Sequence, residues 1–421
     1  MRTYPEYKDS GVEWIGEIPK EWDHIRLKYL SNIKTGDKNT EDSEEEGEFP
    51  FFVRSQTVEK ISTYSFDGEA ILTAGDGVGV GKVFHYFDGR FDYHQRVYKF
   101  SDFYKLSGKF LFYYMKENLF NELLRWNAKS TVDSVRLPFL QNFMVPLPPL
   151  SEQKQISDYL DRKTQQIDDL IEKTERKIEL LTEQRSSLIN QCVTKGLDPN
   201  VEMKDSGVEW IGEIPTHWLR GSFKYFVKNI TDGAHVSPDL SSPDKFFVST
   251  VDINNGIIDF GRCLKTSSES YDYLVQTGCK PNKNDILFSK DGTIGKTSIV
   301  KDEDFVVASS LIIIKPIFDK VGSGFLNYIL QSSVVLDQIE GLVRGAALRR
   351  VSLKNIKSIG IIGPPLSEQK QISEHLDTET SKIDQMVDTE TKRIDLLKEY
   401  RQSLISNVVT GKIDVRDEVI Q

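Results

Sequence analysis

Apolar residues recur at intervals of three and four over two long stretches of the chain, 151–196 and 367–412. The first seam is Leu160, Thr164, Ile167, Ile171, Thr174, Ile178, Leu181, Arg185, Leu188 and Cys192. The second is Leu376, Thr380, Ile383, Val387, Glu390, Ile394, Leu397, Arg401, Leu404 and Val408. Heptads of this kind, with polar residues between them, predict two long helices that pair as a coiled coil. At ~1.5 Å per residue each would run roughly 65 Å. A lone helix would leave its apolar stripe in water, so each copy is the natural partner of the other; two separate helices lying on two globular cores are the alternative. Both open through Pro-Pro-Leu-Ser-Glu-Gln-Lys-Gln-Ile-Ser, at 148–157 and 364–373, identical at every position. The proline pair marks the approach to a helix. Ser151 and Ser367 are expected as N-caps, with Glu152 and Glu368 placing negative charge on the first turn. Gly196 and Gly411 are expected as C-terminal stops. Arg185 and Arg401 interrupt the seams at equivalent places and are expected to pair with acids across the coil, with partner docking as the second reading.

A second repeat lies upstream of each helix. Lys-Asp-Ser-Gly-Val-Glu-Trp-Ile-Gly-Glu-Ile-Pro occupies 8–19 and recurs at 204–215, followed by Trp22 and Trp218. The order is box, variable segment, helix, then the same again. The tail after the second helix resembles the link after the first, which leads into a box. The two chain ends are therefore expected to meet, closing a ring of two half-units. The variable segments, roughly 23–147 and 219–363, differ from each other and each is large enough for its own core. Ile71-Leu-Thr, Asp285–Ser289 and the β-branched run Val306–Ile314, bounded by Pro316, predict strands; Phe110–Leu124 and Phe325–Ile339 have helical spacing. The expectation is an α+β chain: a first domain at 1–148, a helix at 149–196, a second domain at 197–363, and a helix with tail at 364–421. Two α/β domains would be separated by an antiparallel coiled coil in a pseudo-twofold circular arrangement. A duplicated frame carrying two diverged modules suits a protein that reads two different things at a set distance.

Familiar catalytic signatures are missing. Gly81-Lys82 and Gly295-Lys296-Thr297 invite a phosphate-loop reading, but Asp76 and Lys290 stand where its first glycine belongs. A tight turn between strands is the better reading. The histidines are dispersed, and Cys192, Cys263 and Cys279 have neither metal nor disulfide-frame spacing. No apolar run approaches membrane-spanning length, and the N-terminus lacks a signal-peptide core. A reduced, cytoplasmic protein without a cofactor of its own is expected.

Two variable domains and two near-identical helices, each entered through Pro-Pro-Leu-Ser-Glu-Gln-Lys-Gln-Ile, resemble the DNA specificity subunit of type I restriction–modification enzymes. Asp285-Ile-Leu-Phe-Ser-Lys-Asp-Gly-Thr-Ile-Gly-Lys resembles the strand–turn of its target recognition domains, and Ala70–Lys82 is a looser copy with one extra residue. The Trp-Ile-Gly-Glu-Ile-Pro boxes are also typical. The resemblance implies a non-catalytic subunit. Each recognition domain would read one half of a split site in double-stranded DNA through the major groove. The helices would act as a ruler and dock two methyltransferase subunits. S-adenosylmethionine, ATP and Mg would belong to partners only, among them an ATP-dependent restriction subunit. Two other classes compete: a coiled-coil scaffold whose globular domains bind proteins, and an enzyme acting on DNA by itself.

The net charge of −10 speaks at first against nucleic acid. Locally the balance differs. Residues 20–148 hold 17 Lys/Arg against 19 Asp/Glu, but six of those acids crowd into Glu41–Glu48, expected as a solvated, mobile loop. Residues 216–363 hold 18 against 15. Surface fields decay over ~8 Å at physiological salt, so local charge should govern binding. Mildly basic domains imply weak DNA binding alone and stronger binding with partners. The candidate readers are cationic or amide side chains near turns. Arg344, Arg349, Arg350 and Lys354 cluster late in the second variable segment, beside Gly345-Ala-Ala. Lys129, Ser130, Thr131 and Arg136 occupy the equivalent place in the first. Lys82, Lys290 and Lys296 flank the glycine turns, where a plain surface lysine is an equal reading. Arg54 and Gln56 follow a strand start, and Gln56 could pair with adenine. His94 and Arg96 lie in a polar-aromatic run that a buried Tyr93 and a satisfied histidine would also explain. His235 is a loop candidate.

Overall fold

The computed structural model describes residues 2–13, 15–126, 134–208, 211–301, 303–342 and 350–418. The chain divides into two compact units, Met1–Thr174 with Lys392–Gln421, and Glu175–Thr391.

In the first unit six strands form one sheet, in the order Asn32–Thr35, Val97–Ser101, Phe66–Ala74, Phe84–Tyr93, Phe49–Phe52 and Glu59–Ile61. Phe49–Phe52 runs parallel to Phe84–Tyr93, and the other neighbours are antiparallel. The strand Phe66–Ala74 contains the expected Ile71-Leu-Thr run and is buried from Ala70 to Ala74, as a mid-sheet strand should be. Ile71, Phe84 and Phe100 pack on the helix Gly108–Trp126 through Phe110, Leu111 and Tyr114. Leu160 and Ile167 of the first long helix and Leu404, Val408 and Val409 of the second close the same core. The acidic tract is solvated as expected: Glu41, Asp42, Glu44, Glu45, Glu46 and Glu48 are exposed. It is also pinned, since the Glu44 N–H donates to the Lys60 carbonyl at 2.8 Å.

The second unit is built differently. Val227–Asp232, Leu311–Pro316, Ile286–Ser289 and Thr297–Ile299 form an antiparallel sheet. Leu264–Thr266, Lys245–Val248 and Phe305–Val307 form a second, with the last pair parallel. Two expectations change here. The apolar run Val306–Ile314 is two strands in two sheets, Phe305–Val307 and Leu311–Pro316, because the chain turns at Ala308–Ser310. The helical spacing Phe325–Ile339 resolves into Ser323–Gln331 and Ser333–Glu340. Ser332 separates them with extended backbone (ψ 160°), its hydroxyl donating to the Ile329 carbonyl at 2.7 Å.

The long helices run Leu150–Lys195 and Leu366–Val409. Every seam position named from the sequence is buried or half-buried. Within the first unit Arg401 grips both carboxylate oxygens of Asp168 at 2.8 and 3.1 Å. Within the second, Arg185 donates to Asp384 at 2.9 Å and Lys177 to Glu390 at 2.5 Å. The two interrupting arginines thus pair with acids on the opposite helix. Ser151 and Ser367 are not N-caps. Each helix begins one residue earlier, and the carbonyls of Pro149 and Pro365 accept from the backbone three and four residues on. The side chains that secure the starts are Gln153 and Gln369. Gln153 donates to the carbonyls of Pro148 and Lys105 and accepts from the Ser107 N–H; Gln369 does the same with Pro364, Lys320 and Gly322. Gly196 and Gly411 follow the helix ends at φ +74°, the left-handed conformation a stop requires.

The boxes fold as matching hairpins, Tyr7–Asp9 with Glu17–Pro19 and Met203–Asp205 with Glu213–Pro215. Each delivers a fully buried tryptophan to its helix start: Trp22 to Glu152 and Trp218 to Glu368, both at 3.1 Å. The chain ends meet inside the first unit, where the Asp414 N–H donates to the Arg2 carbonyl at 2.9 Å.

Candidate nucleic-acid interface

In the first unit the central strand Phe66–Ala74 runs out into Gly75-Asp76-Gly77. Gly77 adopts φ +76°, and a Cβ on Gly75 would fall 2.9 Å from the Tyr98 ring, so the turn can lie flat on its neighbours only with glycine there. Asp76 is consequently held at the turn. Its carboxylate accepts from Arg54 Nη1 at 2.9 Å and lies 3.6 Å from Arg96 Nε. Behind them His94 is only 4% exposed, and its Nδ1 accepts the Arg96 N–H at 2.9 Å. Burial first, then the Arg54 charge, holds this imidazole below its usual range. The run 93–96 therefore combines both readings: Tyr93 and His94 are interior, while Arg96 is exposed. Gln56 is exposed, with its amide donating to the Phe84 carbonyl at 3.4 Å. Lys82 is exposed and lies over the Phe120 ring at 4.9 Å.

The second unit repeats this turn with other partners. Ile286–Ser289 runs into Lys290-Asp291-Gly292, with Gly292 at φ +68°. Asp291 accepts from Arg350 Nε and Nη2 at 2.7 and 2.8 Å, a two-pronged ion pair of the strong, oriented kind. Lys290 does not lie on the surface: it is 4% exposed, with its ammonium on Asp232. A charge in that position needs a partner, and Asp232 supplies it. His235 is exposed, 3.3 Å from the same carboxylate. Lys296 is half-buried and donates to the carbonyls of Ile253 and Thr250 at 3.0 and 3.4 Å. Lys354 is exposed on the helix Leu353–Ser358, and Arg136 is exposed just before the helix Leu137–Asn142.

Lys129, Ser130, Thr131, Arg344 and Arg349 lie outside the described residues. The residues that follow them are tied to the two turns in the same way. The Val135 N–H donates to the Gly75 carbonyl at 2.9 Å, and the Val351 N–H to the Lys290 carbonyl at 3.1 Å. Backbone bridges join Ser134 to Asp76 and Arg350 to Asp291. The structure thus gathers Arg54, His94 and Arg96 at one turn, and His235, Lys290 and Arg350 around the other. Gln56, Lys82, Arg136, Lys296 and Lys354 stand apart from those acid-centred pairs. Sequence reasoning named the cations and missed Asp76, Asp232 and Asp291, which hold them. The signal available was the Asp-Gly pair in both turns. Among the described residues no group of three or more His, Cys, Asp or Glu could hold a metal, and no helix is long and apolar enough to cross a membrane.

The duplicated frame thus carries two dissimilar sheet modules, each with an arginine fixed at a glycine turn. Residues 19–180 and 237–399 match the family described as type I restriction modification DNA specificity domain, and the chain belongs to that family. It is 25% identical to the type I restriction enzyme MjaVIII specificity subunit of Methanocaldococcus jannaschii, over 99% of this chain and 98% of that one. It is 24% identical to the EcoBI specificity subunit of Escherichia coli, over 89% and 82%. In fold it is similar to a chain from a structural study of complex assembly and conformational transition in the type I R-M system. There the TM-score is 0.68 at 15% identity, over 94% of this chain and 99% of that one. The HsdS subunit of Thermoanaerobacter tengcongensis gives a TM-score of 0.50 at 15% identity, over 94% and 98%.

Proposed function

We propose that this chain is the non-catalytic subunit that gives a type I restriction–modification complex its DNA sequence. Each sheet module reads one half of a split target through the major groove, and the two modules read different halves because their sheets and turn partners differ. The long helices form an antiparallel coiled coil in a pseudo-twofold, circular arrangement. They set the gap between half-sites and dock two methyltransferase subunits, to which an ATP-dependent restriction subunit is added. Support for the arrangement comes from ion pairs between the helices in each unit and from the hydrogen bond between Asp414 and Arg2. The single observation that carries the reading is the recurrence of an Asp-held arginine at the glycine turn of two otherwise dissimilar modules. S-adenosylmethionine, ATP and Mg are assigned to the partners, and the chain acts in the cytoplasm.

The test is adenine-methylation mapping of a genome in which the chain is expressed with its methyltransferase partner, against a strain lacking it. A split motif, two short halves around a fixed gap, should appear only when the chain is present. No new motif with a bound, active partner would favour a scaffold whose two domains bind proteins.

A further inference from the structure

We infer that Asp76 and Asp291 are positioning residues for DNA reading, each fixing a guanidinium by one edge so that its other edge is presented to a base. The inference rests on the reading of this chain as a DNA specificity subunit. It goes beyond that reading by assigning specificity to two acids, on a surface where acids would otherwise repel phosphate.

Arg350 spends Nε and Nη2 on Asp291, at 2.7 and 2.8 Å. Nη1 and the second hydrogen of Nη2 remain, and they form a two-donor edge of the kind that matches the paired acceptors of guanine. Arg54 spends Nη1 on Asp76 at 2.9 Å, which leaves the Nε–Nη2 edge. Both side chains are about half exposed, at 58% for Arg350 and 46% for Arg54. The backbone of each acid is held in place. Asp76 is bridged through its backbone to Ser134 and Asp291 to Arg350, and each sits at the end of a mid-sheet strand. A long, flexible arginine loses rotamer freedom when it reads a base; a carboxylate that fixes it beforehand removes part of that loss.

Stability does not by itself account for the arrangement, since the single-pronged Arg54–Asp76 pair, with its arginine 46% exposed, adds little. Nor does a shared loop framework. The arginine comes from the strand-end segment after Phe49–Phe52 in the first unit, and from the segment before Leu353–Ser358 in the second. Different elements deliver the cation to the equivalent acid of each turn. The first unit adds Arg96 at 3.6 Å on the same carboxylate, so its turn presents two guanidiniums where, among the described residues, the second presents one.

The experiment compares methylation motifs of the full chain with its methyltransferase partner for wild type, Asp76→Asn and Asp291→Asn. Asp291→Asn should relax one position in one half-site, with a ~10-fold loss of discrimination there. The other half and the affinity for non-cognate DNA should be kept, and a merely structural defect would not produce that split. Asp76→Asn should relax the opposite half. A wild-type motif with both halves unchanged in both variants would overturn the inference and leave the DNA-specificity reading intact. Should Asp291→Asn abolish methylation, Asp291→Glu, which keeps the charge and displaces the carboxylate, decides by the same readout. A single relaxed half supports the inference; an unchanged motif, or complete loss here too, overturns it. No split motif from the wild-type chain overturns the DNA-specificity reading, and the inference with it.

Discussion

Trp22 donates its indole N–H to Glu152 at 3.1 Å, joining the box near the start of the chain to the first turn of a helix that begins at Leu150. The Tyr4 hydroxyl donates to the same oxygen at 2.6 Å. Glu152 is buried, so replacing it with alanine leaves two interior donors without an acceptor. Glu152→Ala should lower unfolding stability by about 3 kcal/mol, measured by urea denaturation, with a smaller loss for Glu152→Gln. The second copy has one buried donor, Trp218, and an exposed His217 at 2.7 Å, so Glu368→Ala should cost less.

The inter-helix ion pairs should not be equal. Arg185 and Asp384 are both about three-quarters covered, and Arg185 also donates to Gln331 at 3.2 Å. Asp168, the partner of Arg401, is half exposed. Double-mutant cycles should give a coupling of about 0.5 kcal/mol for Arg401–Asp168, and a larger value for Arg185–Asp384. Equal couplings would show that burial does not govern these pairs.

Acid should weaken the first unit through two buried histidines. His85 and His94 are both held below the usual histidine range, chiefly by burial. Above an unfolded value of about 6.5 both states are neutral and the stability is intact. As pH falls from there towards the folded values, the unfolded chain takes up protons that the folded one refuses, and stability is lost. Urea midpoints should drop between pH 7.5 and 5.5, and the drop should shrink in His85→Gln/His94→Gln. An unchanged slope in that variant would place the acid sensitivity elsewhere.

If the helices are the ruler, removing one matched heptad from both should shorten the gap between half-sites and leave each half as it was. Seven residues at 1.5 Å correspond to roughly 10 Å, or about three base pairs. Methylation mapping reads the gap directly. A change in either half-sequence would mean that the helices also shape the reading surfaces.

The frame was legible because it is written twice. Two identical helix entries and two identical boxes fix a periodicity that no single copy could, and the seams fall where the spacing puts them. Local breaks were less visible. Nothing in the apolar run Val306–Ile314 marks its turn, since Ala308, Ser309 and Ser310 are small enough for a strand and for a bend. Ser332 looks like any polar position on a helix until its hydroxyl is seen on the Ile329 carbonyl. Ser151 reads as a cap by residue type, yet the proline carbonyl before it takes that place and Gln153 does the anchoring. At the glycine turns, charge counting favours lysine and arginine and passes over the acids. That Asp76 and Asp291 meet Arg54 and Arg350 depends on strands brought together from elsewhere in the chain.

The core of the first unit contains Leu404, Ile405, Val408, Val409, Ile413 and Val415 beside residues as early as Tyr4 and Ile15. A ribosome makes the sheet of that unit before the second unit, and residues 404–415 of its core only after the second unit has been synthesised. The first module is thus completed after the second. Until then Tyr4 and Trp22 belong to a core that still lacks Leu404, Val408 and Val409.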